Sequence, residues 1–242
     1  MAPPAVCAAP LTAVISAIIF DLDGTLVDTE RTHFAAFVEV LTPLGAAPSW
    51  HDYLARWIGY TDRECITELL KEAGRPDDPA LVEELLALKA EAYMRLLGGR
   101  ELLYPGAQEF ARRAAGRFAL ALVTGTLRAE AEMLLDRAAM HELFSVIVAA
   151  EDVSRGKPAP DGFVEALARL GRGPLRGRRL CAADCLVVED TVAGVRAARS
   201  AGMRVLAVAH TTPVAELAEA DLVRPSLQET DLDEVLRLLA HP

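Results

Sequence analysis

Long apolar runs, basic stripes and clustered cysteines are all missing from this sequence, and each absence removes a class of function. No apolar stretch approaches the roughly 20 residues that cross a bilayer. No Lys/Arg stripe offsets a formal net charge of -10 at pH 7. Such a surface repels polyanions, which argues against nucleic acid and anionic membranes as partners, while a small anion held by a few local cations stays allowed. The four cysteines, Cys7, Cys65, Cys181 and Cys185, are scattered through the chain, and Cys181 and Cys185 lie too far apart for a Cys-x-x-Cys pair. Inert thiols in a reducing, cytoplasmic compartment fit better than disulfides or zinc ligands. Aromatics make up only 5% of the 242 residues, so a core must be built from Leu, Val, Ala and Ile.

What is present reads as an α/β protein. Met1 to Pro10, "MAPPAVCAAP", lacks the basic leader and apolar core of a signal peptide, and residues 1–12 are expected to be a flexible extension. Five short apolar runs then end in small or polar residues: "AVISAIIF" from Ala13, "FALALVTG" from Phe118, "SVIVAA" from Ser145, "CLVVED" from Cys185 and "RVLAVAH" from Arg204. Near-continuous apolarity over so few residues suits strands buried on both faces, and the helical patterns between them imply a Rossmann-like parallel sheet with crossover helices.

Helix signals are local. Thr191 is a plausible N-cap with a stop at Gly202, and "PDGFVEALARLG" is expected to end at Gly171. From Glu30 to Leu103 no strand pattern occurs. There Thr61 and Glu64 stand at capping-box spacing before a helix closing on Gly74, and Asp78-Pro79 opens another that ends in Gly98-Gly99. The expected organisation is a core of residues 13–29 and 104–242, with residues 30–103 inserted as a helical cap or as an enlarged helical face of one domain.

The charges gather at strand ends. "AIIFDLDGTLVD" runs a buried strand into Asp21, Asp23 and Asp28; the second strand ends in Thr124, Gly125 and Thr126; the third leads to Lys157; the fourth ends in Glu189 and Asp190. In an open parallel sheet these ends share one rim, where ligands bind. Buried carboxylates need protons, cations or a metal. Asp21, Glu189 and Asp190 offer oxygen ligands for a hard ion such as Mg²⁺, and Lys157 offers a second positive charge.

In this order, "DLDGT", the strand-end Thr124, "GKPAPD" and "VVEDTVAGVRAARSAGM" resemble the four motifs of the haloacid dehalogenase superfamily, over about Ile15 to Leu239. The resemblance implies a phosphotransferase with Mg²⁺ as cofactor. Asp21 would be the nucleophile forming an aspartyl phosphate, and Asp23 the acid and then the base. Mg²⁺ would sit on Asp21, the main-chain carbonyl of Asp23 and Asp190, with Glu189 close by. Thr124, Gly125, Thr126 and Lys157 would hold the phosphoryl group. Asp23 implies an oxygen leaving group, since dehalogenases and phosphonatases of the superfamily lack it.

The insertion after the first motif resembles the C1 cap of subfamily I, which includes phosphoglycolate phosphatases, sugar phosphatases and β-phosphoglucomutase. The resemblance implies substrate contacts from the loop carrying Gly59, Tyr60, Thr61 and Arg63, and from Lys89. His33 either matches a hinge-proximal histidine of that branch or sits on a helix surface; Arg63 either reads substrate or faces solvent. Asp28 and Thr29 are expected to cap the first inserted helix. The mutase loop carries an arginine three residues after its glycine, where this chain has Asp62. The expected activity is phosphatase action on a small phosphorylated metabolite, a sugar phosphate or a phosphoglycolate-like acid. A β-phosphoglucomutase-like phosphomutase and a non-catalytic metabolite-binding protein are the alternatives. Nothing in the sequence marks an oligomeric state.

Overall fold

The computed structural model describes residues 15–75, 78–99 and 102–240. The extension expected over residues 1–12, Cys7, and Ala13 and Val14 of the first apolar run lie outside the described residues. Six parallel strands form one sheet: β1 (Ala17–Phe20), β2 (Ala119–Val123), β3 (Val146–Val148), β4 (Cys185–Glu189), β5 (Arg204–Val208) and β6 (Leu222–Arg224). Their order is β3-β2-β1-β4-β5-β6, the doubly wound arrangement in which the chain reverses direction beside β1.

β1 is central and wholly buried, which explains its unbroken apolar run. Alternation sends Ile18 and Phe20 into one apolar layer and Ala17 and Ile19 into the other. Phe20 meets Phe110 and Phe144 edge to face, with ring centroids 6.1 and 5.9 Å apart. Elsewhere in these layers Leu, Val and Ala dominate, as the scarcity of aromatics requires. β6 is absent from the sequence reading. It spans three half-buried residues at the sheet edge, too few for alternation to show, and is held by pairing with β5.

Between β1 and β2 come α1 (Glu30–Leu41), α2 (Asp62–Glu72), α3 (Pro79–Leu97) and α4 (Ala107–Ala115). The capping box forms as spaced: Glu64 N–H donates to Thr61 Oγ1 (3.3 Å), and Thr61 N–H to Glu64 Oε2 (3.1 Å). Asp78 Oδ1 accepts the N–H groups of Ala80 and Leu81 at the start of α3. A π-type turn over Tyr53–Trp57 points both aromatic residues inward. They join Phe37, Ile66, Leu69, Val82 and Leu85 in an apolar cluster separate from the sheet layers, so the insertion carries a core of its own.

The remaining helices are α5 (Arg128–Arg137), α6 (Asp161–Arg172), α7 (Val192–Ser200) and α8 (Leu232–Ala240). α7 is capped by Thr191, whose Oγ1 accepts the Gly194 N–H at 3.0 Å. The expected stop of α6 at Gly171 is corrected by one turn position: Gly171 stays helical, and the Gly173 N–H still reaches Arg169 O at 2.9 Å. Among the described residues no helix is long and apolar enough to cross a membrane.

On the first turn of α5, Glu130 is 5% exposed, and neither carboxyl oxygen has a hydrogen-bond partner among the described residues. Burial above all, with Asp62 and Asp23 adding and Lys89 and His33 opposing, pushes its pKa up to about 7. Between about pH 4.3, the value of a free glutamate, and that folded value, the native chain binds a proton that the unfolded chain releases. Stability contributed by that proton is complete below this window and declines as pH rises through it, by up to about 1.4 kcal/mol per unit. Glu130→Gln, which has no proton to lose, is expected to match the parent at pH 4 and exceed it at pH 8 by on the order of 1–3 kcal/mol in urea unfolding. An equal difference at both pH values would refute the assignment.

Candidate active site

The site begins where β1 ends. Asp21 extends the strand by one residue, its N–H donating to Val188 O at 3.0 Å. Because Phe20 is in register with Val188, Asp21 comes to lie beside Glu189. Gly24, at φ +81°, then turns the chain against β4, and a Cβ there would stand 2.2 Å from Asp190 Oδ2. Thr25 Oγ1 donates to Asp190 Oδ1 at 2.7 Å, and Thr211 hydroxyl donates to the other oxygen.

Asp21, Glu189 and Asp190 are all buried, and one carboxylate oxygen from each lies within 4.8 Å of the others. Lys157, brought in by the loop after β3, donates to both Asp21 Oδ1 and Glu189 Oε1. Burial disfavours its charge, but these two carboxylates outweigh that and hold its pKa above the ordinary lysine range. One lysine does not balance three acids. Burial, together with Glu189 and Asp23, pushes Asp21 well above the usual carboxylate range despite Lys157; burial, Glu189 and Asp21 do the same to Asp190. All-oxygen donors with excess negative charge are what a hard divalent cation requires, so the residues present fit Mg²⁺.

Asp23 faces elsewhere. Its Oδ1 receives the Thr29 hydroxyl and lies 3.2 Å from His33 Nε2; its Oδ2 accepts from Thr126 Oγ1 at 2.7 Å, with Thr124 Oγ1 at 3.5 Å. Burial alone would raise the Asp23 pKa, but His33, Thr29 and Thr126 together bring it below the usual carboxylate range. His33 Nδ1 in turn lies 2.7 Å from Lys89 Nζ, and Lys89 donates to Asp62 Oδ2 at 2.6 Å. An ammonium can only donate, so Nδ1 accepts and the imidazole proton sits on Nε2, aimed at Asp23.

The insertion roofs this pocket. Gly59 and Tyr60 line the cavity with Glu30, His33, Phe37, Tyr53, Asp62 and Cys65, opposite Asp21, Asp23, Thr124, Gly125, Thr126 and Lys157. The fit is close: a Cβ on Gly59 (φ +82°) would lie 2.8 Å from Thr191 Oγ1, and Glu64 Oε1 accepts the Gly156 N–H at 3.0 Å.

Several sequence expectations change here. Thr29 makes no side-chain cap on α1; its hydroxyl is spent on Asp23. His33 is buried against Tyr93 with a ring separation of 4.2 Å and is not on a helix surface. Lys89 is fully buried and reaches the cavity only through His33 and Asp62. Thr61 serves the capping box and lines an adjoining hollow. Arg63 is not brought to the cavity: it pairs with Glu83 at 2.7 Å, and both side chains are more than half exposed. Asp62, one residue earlier, takes the inward position because the start of α2 points it at Lys89. The sequence reading missed Glu30, whose Oε2 accepts from Tyr53 OH at 2.7 Å, and left Asp62 unassigned although its place three residues after Gly59 marked it.

A doubly wound parallel sheet with an acidic, lysine-bridged rim under a helical roof places this protein among capped α/β proteins with an aspartate site at the strand ends. The chain belongs to the haloacid dehalogenase-like hydrolases, whose family model matches residues 18–208. It is 34% identical over 201 residues to protein CbbY of Rhodobacter capsulatus, covering 79% of this chain and 84% of that one. It is 30% identical to the validoxylamine A 7'-phosphate phosphatase of Streptomyces hygroscopicus subsp. limoneus, over 87% of this chain and 93% of the relative. A crystal structure of mutant CbbY from Rhodobacter sphaeroides in complex with xylulose-(1,5)bisphosphate superimposes with a TM-score of 0.76 at 29% identity, covering 89% of this chain and 96% of that one.

Two glycines give a matched test of how tightly the acidic rim is packed. A Cβ on Gly194 would fall 1.8 Å from Glu189 Oε1, whereas one on Gly171 meets nothing within 4 Å. Gly194→Ala is expected to lower stability by about 1–3 kcal/mol through overpacking. Gly171→Ala, in a helix, should be neutral or raise stability by up to about 1 kcal/mol. Thermal unfolding of the pair decides, and equal midpoints would mean that Glu189 is free to move.

Proposed function

We propose that this protein is a Mg²⁺-dependent phosphatase that releases phosphate from a small phosphorylated metabolite through an aspartyl phosphate. The observation carrying the reading is the division of labour between two neighbouring aspartates: Asp21 within the lysine-bridged acidic cluster, Asp23 within a separate hydrogen-bonded pocket. Relatives named for removing phosphate from validoxylamine A 7'-phosphate and crystallised with xylulose-(1,5)bisphosphate support the general class, a phosphorylated sugar or sugar-like ester, with the number of anionic groups left to this chain's own lining.

Asp21, Asp190 and the carbonyl of Asp23 would hold Mg²⁺, with Glu189 beside them. Bound there, the ion would offset the charge of the phosphoryl oxygens and relieve the repulsion between Asp21 and Asp190. Lys157 supplies the second positive charge, and Thr124 with the Gly125 and Thr126 backbone lies where the transferred group would be cradled. An Asp21 oxygen attacks phosphorus as the ester P–O bond breaks, and Asp23 gives the departing alkoxide its proton. Asp23, now a carboxylate, takes a proton from water as that water attacks phosphorus. The P–O bond to Asp21 breaks and phosphate leaves, with Asp21 again a carboxylate and Asp23 again carrying its proton. The hydrogen bonds from Thr29, Thr126 and His33 favour the carboxylate form of Asp23, which suits this second step. The roof formed by residues 30–103, read as a cap on the 13–29 and 104–242 core, keeps bulk water from the pocket. None of the three described cysteines forms a disulfide among the described residues, in keeping with the cytoplasmic location of this reading.

Phosphate release from a panel of esters should require Mg²⁺ and stop with a chelator. Asp21→Asn is expected to lower kcat on the order of 10³-fold. Asp23→Ala should cost about 10²-fold or more on sugar phosphates but far less on p-nitrophenyl phosphate, whose leaving group needs no proton. Equal losses on both esters would remove Asp23 from the acid role. With β-glucose 1-phosphate, glucose 6-phosphate in place of inorganic phosphate would make the protein a phosphomutase.

A further inference from the structure

The charges lining the cavity are unevenly spent. Its basic residues among the described ones are His33 and Lys157. Lys157 is committed to Asp21 and Glu189, and His33 faces Asp23. Both therefore serve the end where phosphate would bind. The rest of the lining, where the leaving part of a substrate must lie, consists of Glu30, Phe37, Tyr53, Gly59, Tyr60, Asp62 and Cys65. It contains two carboxylates and no cation.

A further positive charge, Lys89, stands behind the lining residues His33 and Asp62, and it is withheld. Its side chain is 0% exposed, Asp62 Oδ2 holds its ammonium at 2.6 Å, and the rings of Phe37 and Tyr93 enclose it at about 5 Å. Arg63 is turned outward to Glu83. Asp62 thus does two things at once: it neutralises the buried lysine, and it presents a carboxylate to the cavity. Glu30, tied to Tyr53 OH, adds a second acceptor surface beside it.

We infer that Asp62 is a specificity-determining residue and that the site takes phosphate monoesters whose leaving group is a hydroxylated or amino-substituted alcohol without a second anionic group. This rests on the phosphatase reading above. A second phosphate or a carboxylate on the substrate would be brought against the acidic side chains of Glu30 and Asp62, while the one cation paired with Asp62, Lys89, is fully buried and absent from the lining, so that the added anion meets acceptors and no free counter-charge in a roofed pocket. Hydroxyl and ammonium groups, by contrast, can donate to both acids. Selection against the wrong substrate then comes from a repulsive element built into the roof.

The test uses the full-length protein with Mg²⁺ and ester pairs that differ by one anion: glycerol 3-phosphate against 3-phosphoglycerate, and fructose 6-phosphate against fructose 1,6-bisphosphate. The expected result is a kcat/KM preference for the less charged member on the order of 100-fold in each pair. Asp62→Asn, which strips Lys89 of its counter-charge, should shrink that ratio at least about tenfold. The ratio is measured within one preparation, so partial loss of folded protein does not mimic the effect. Calorimetric binding of the same pairs to the Asp21→Asn protein repeats the comparison without turnover. Equal or better use of the charged members by the parent overturns the inference and leaves the phosphatase standing. No hydrolysis of any ester, with the same preference in binding, removes the phosphatase reading and keeps the selectivity; binding of neither member, or of both equally, removes the selectivity as well.

Discussion

Three carboxylates buried around one lysine set the terms for the rest of this molecule. Asp21, Glu189 and Asp190 converge at the ends of the two central strands, and Lys157 bridges two of them. Such a cluster is costly without compensation, because each charge gives up water. The surrounding structure is arranged to meet that cost. The Asp190, Thr191 and Thr191 hydroxyl donors all turn to Glu189 Oε2, at 2.9 to 3.0 Å, so the start of α7 helps to neutralise the acid that precedes it. Gly24 and Gly194 leave out the side chains that would push Asp190 and Glu189 apart from their partners. What remains uncompensated is the repulsion between Asp21 and Asp190, and that residue of negative charge is the physical case for a divalent cation.

A second system, built mostly from the insertion, runs from Asp23 through His33 and Lys89 to Asp62. An acid stands at each end and two basic side chains stand between them, Lys89 donating both to the His33 ring and to Asp62, and the chain joins α1, α2 and α3 to the loop after β1. Its inner end contacts Asp23, the acid and base of the proposed reaction, and its outer end, Asp62, lines the cavity. In the proposed reaction one chain of contacts would thus join proton transfer to substrate selection, with the fully buried Lys89 in the middle.

The sequence made some of this plain. Asp21 and Asp23 stood out because a run of apolar residues ended in charge, and Thr61 with Glu64 because capping is a contact between near neighbours in the chain. Thr29 misled because its spacing suits a cap, and only the fold shows that Asp23 competes for the same hydroxyl. Arg63 stood open between substrate and solvent: its type favoured the cavity, its place one residue beyond the expected position did not, and the direction of α2 turned it outward and Asp62 inward. β6 was hidden because three half-buried residues carry no period, and the extra residues of α6 because a glycine with room around it need not end a helix.

Local chemistry thus determined from sequence alone five of the six strands, the caps at Thr61, Asp78 and Thr191, the helical stretch after β1, and the acids that end the strands. Those features rest on interactions among residues close in the chain, or on patterns of burial that repeat every two or every three to four positions. Tertiary structure alone decided which charges face one another: Lys157 with Asp21 and Glu189, Lys89 with His33 and Asp62, and Glu130 with no hydrogen-bond partner among the described residues. A charge's partner depends on where distant segments meet and how each side chain leaves its helix or strand. A shift of one position, from Arg63 to Asp62, reverses the sign of what the cavity presents.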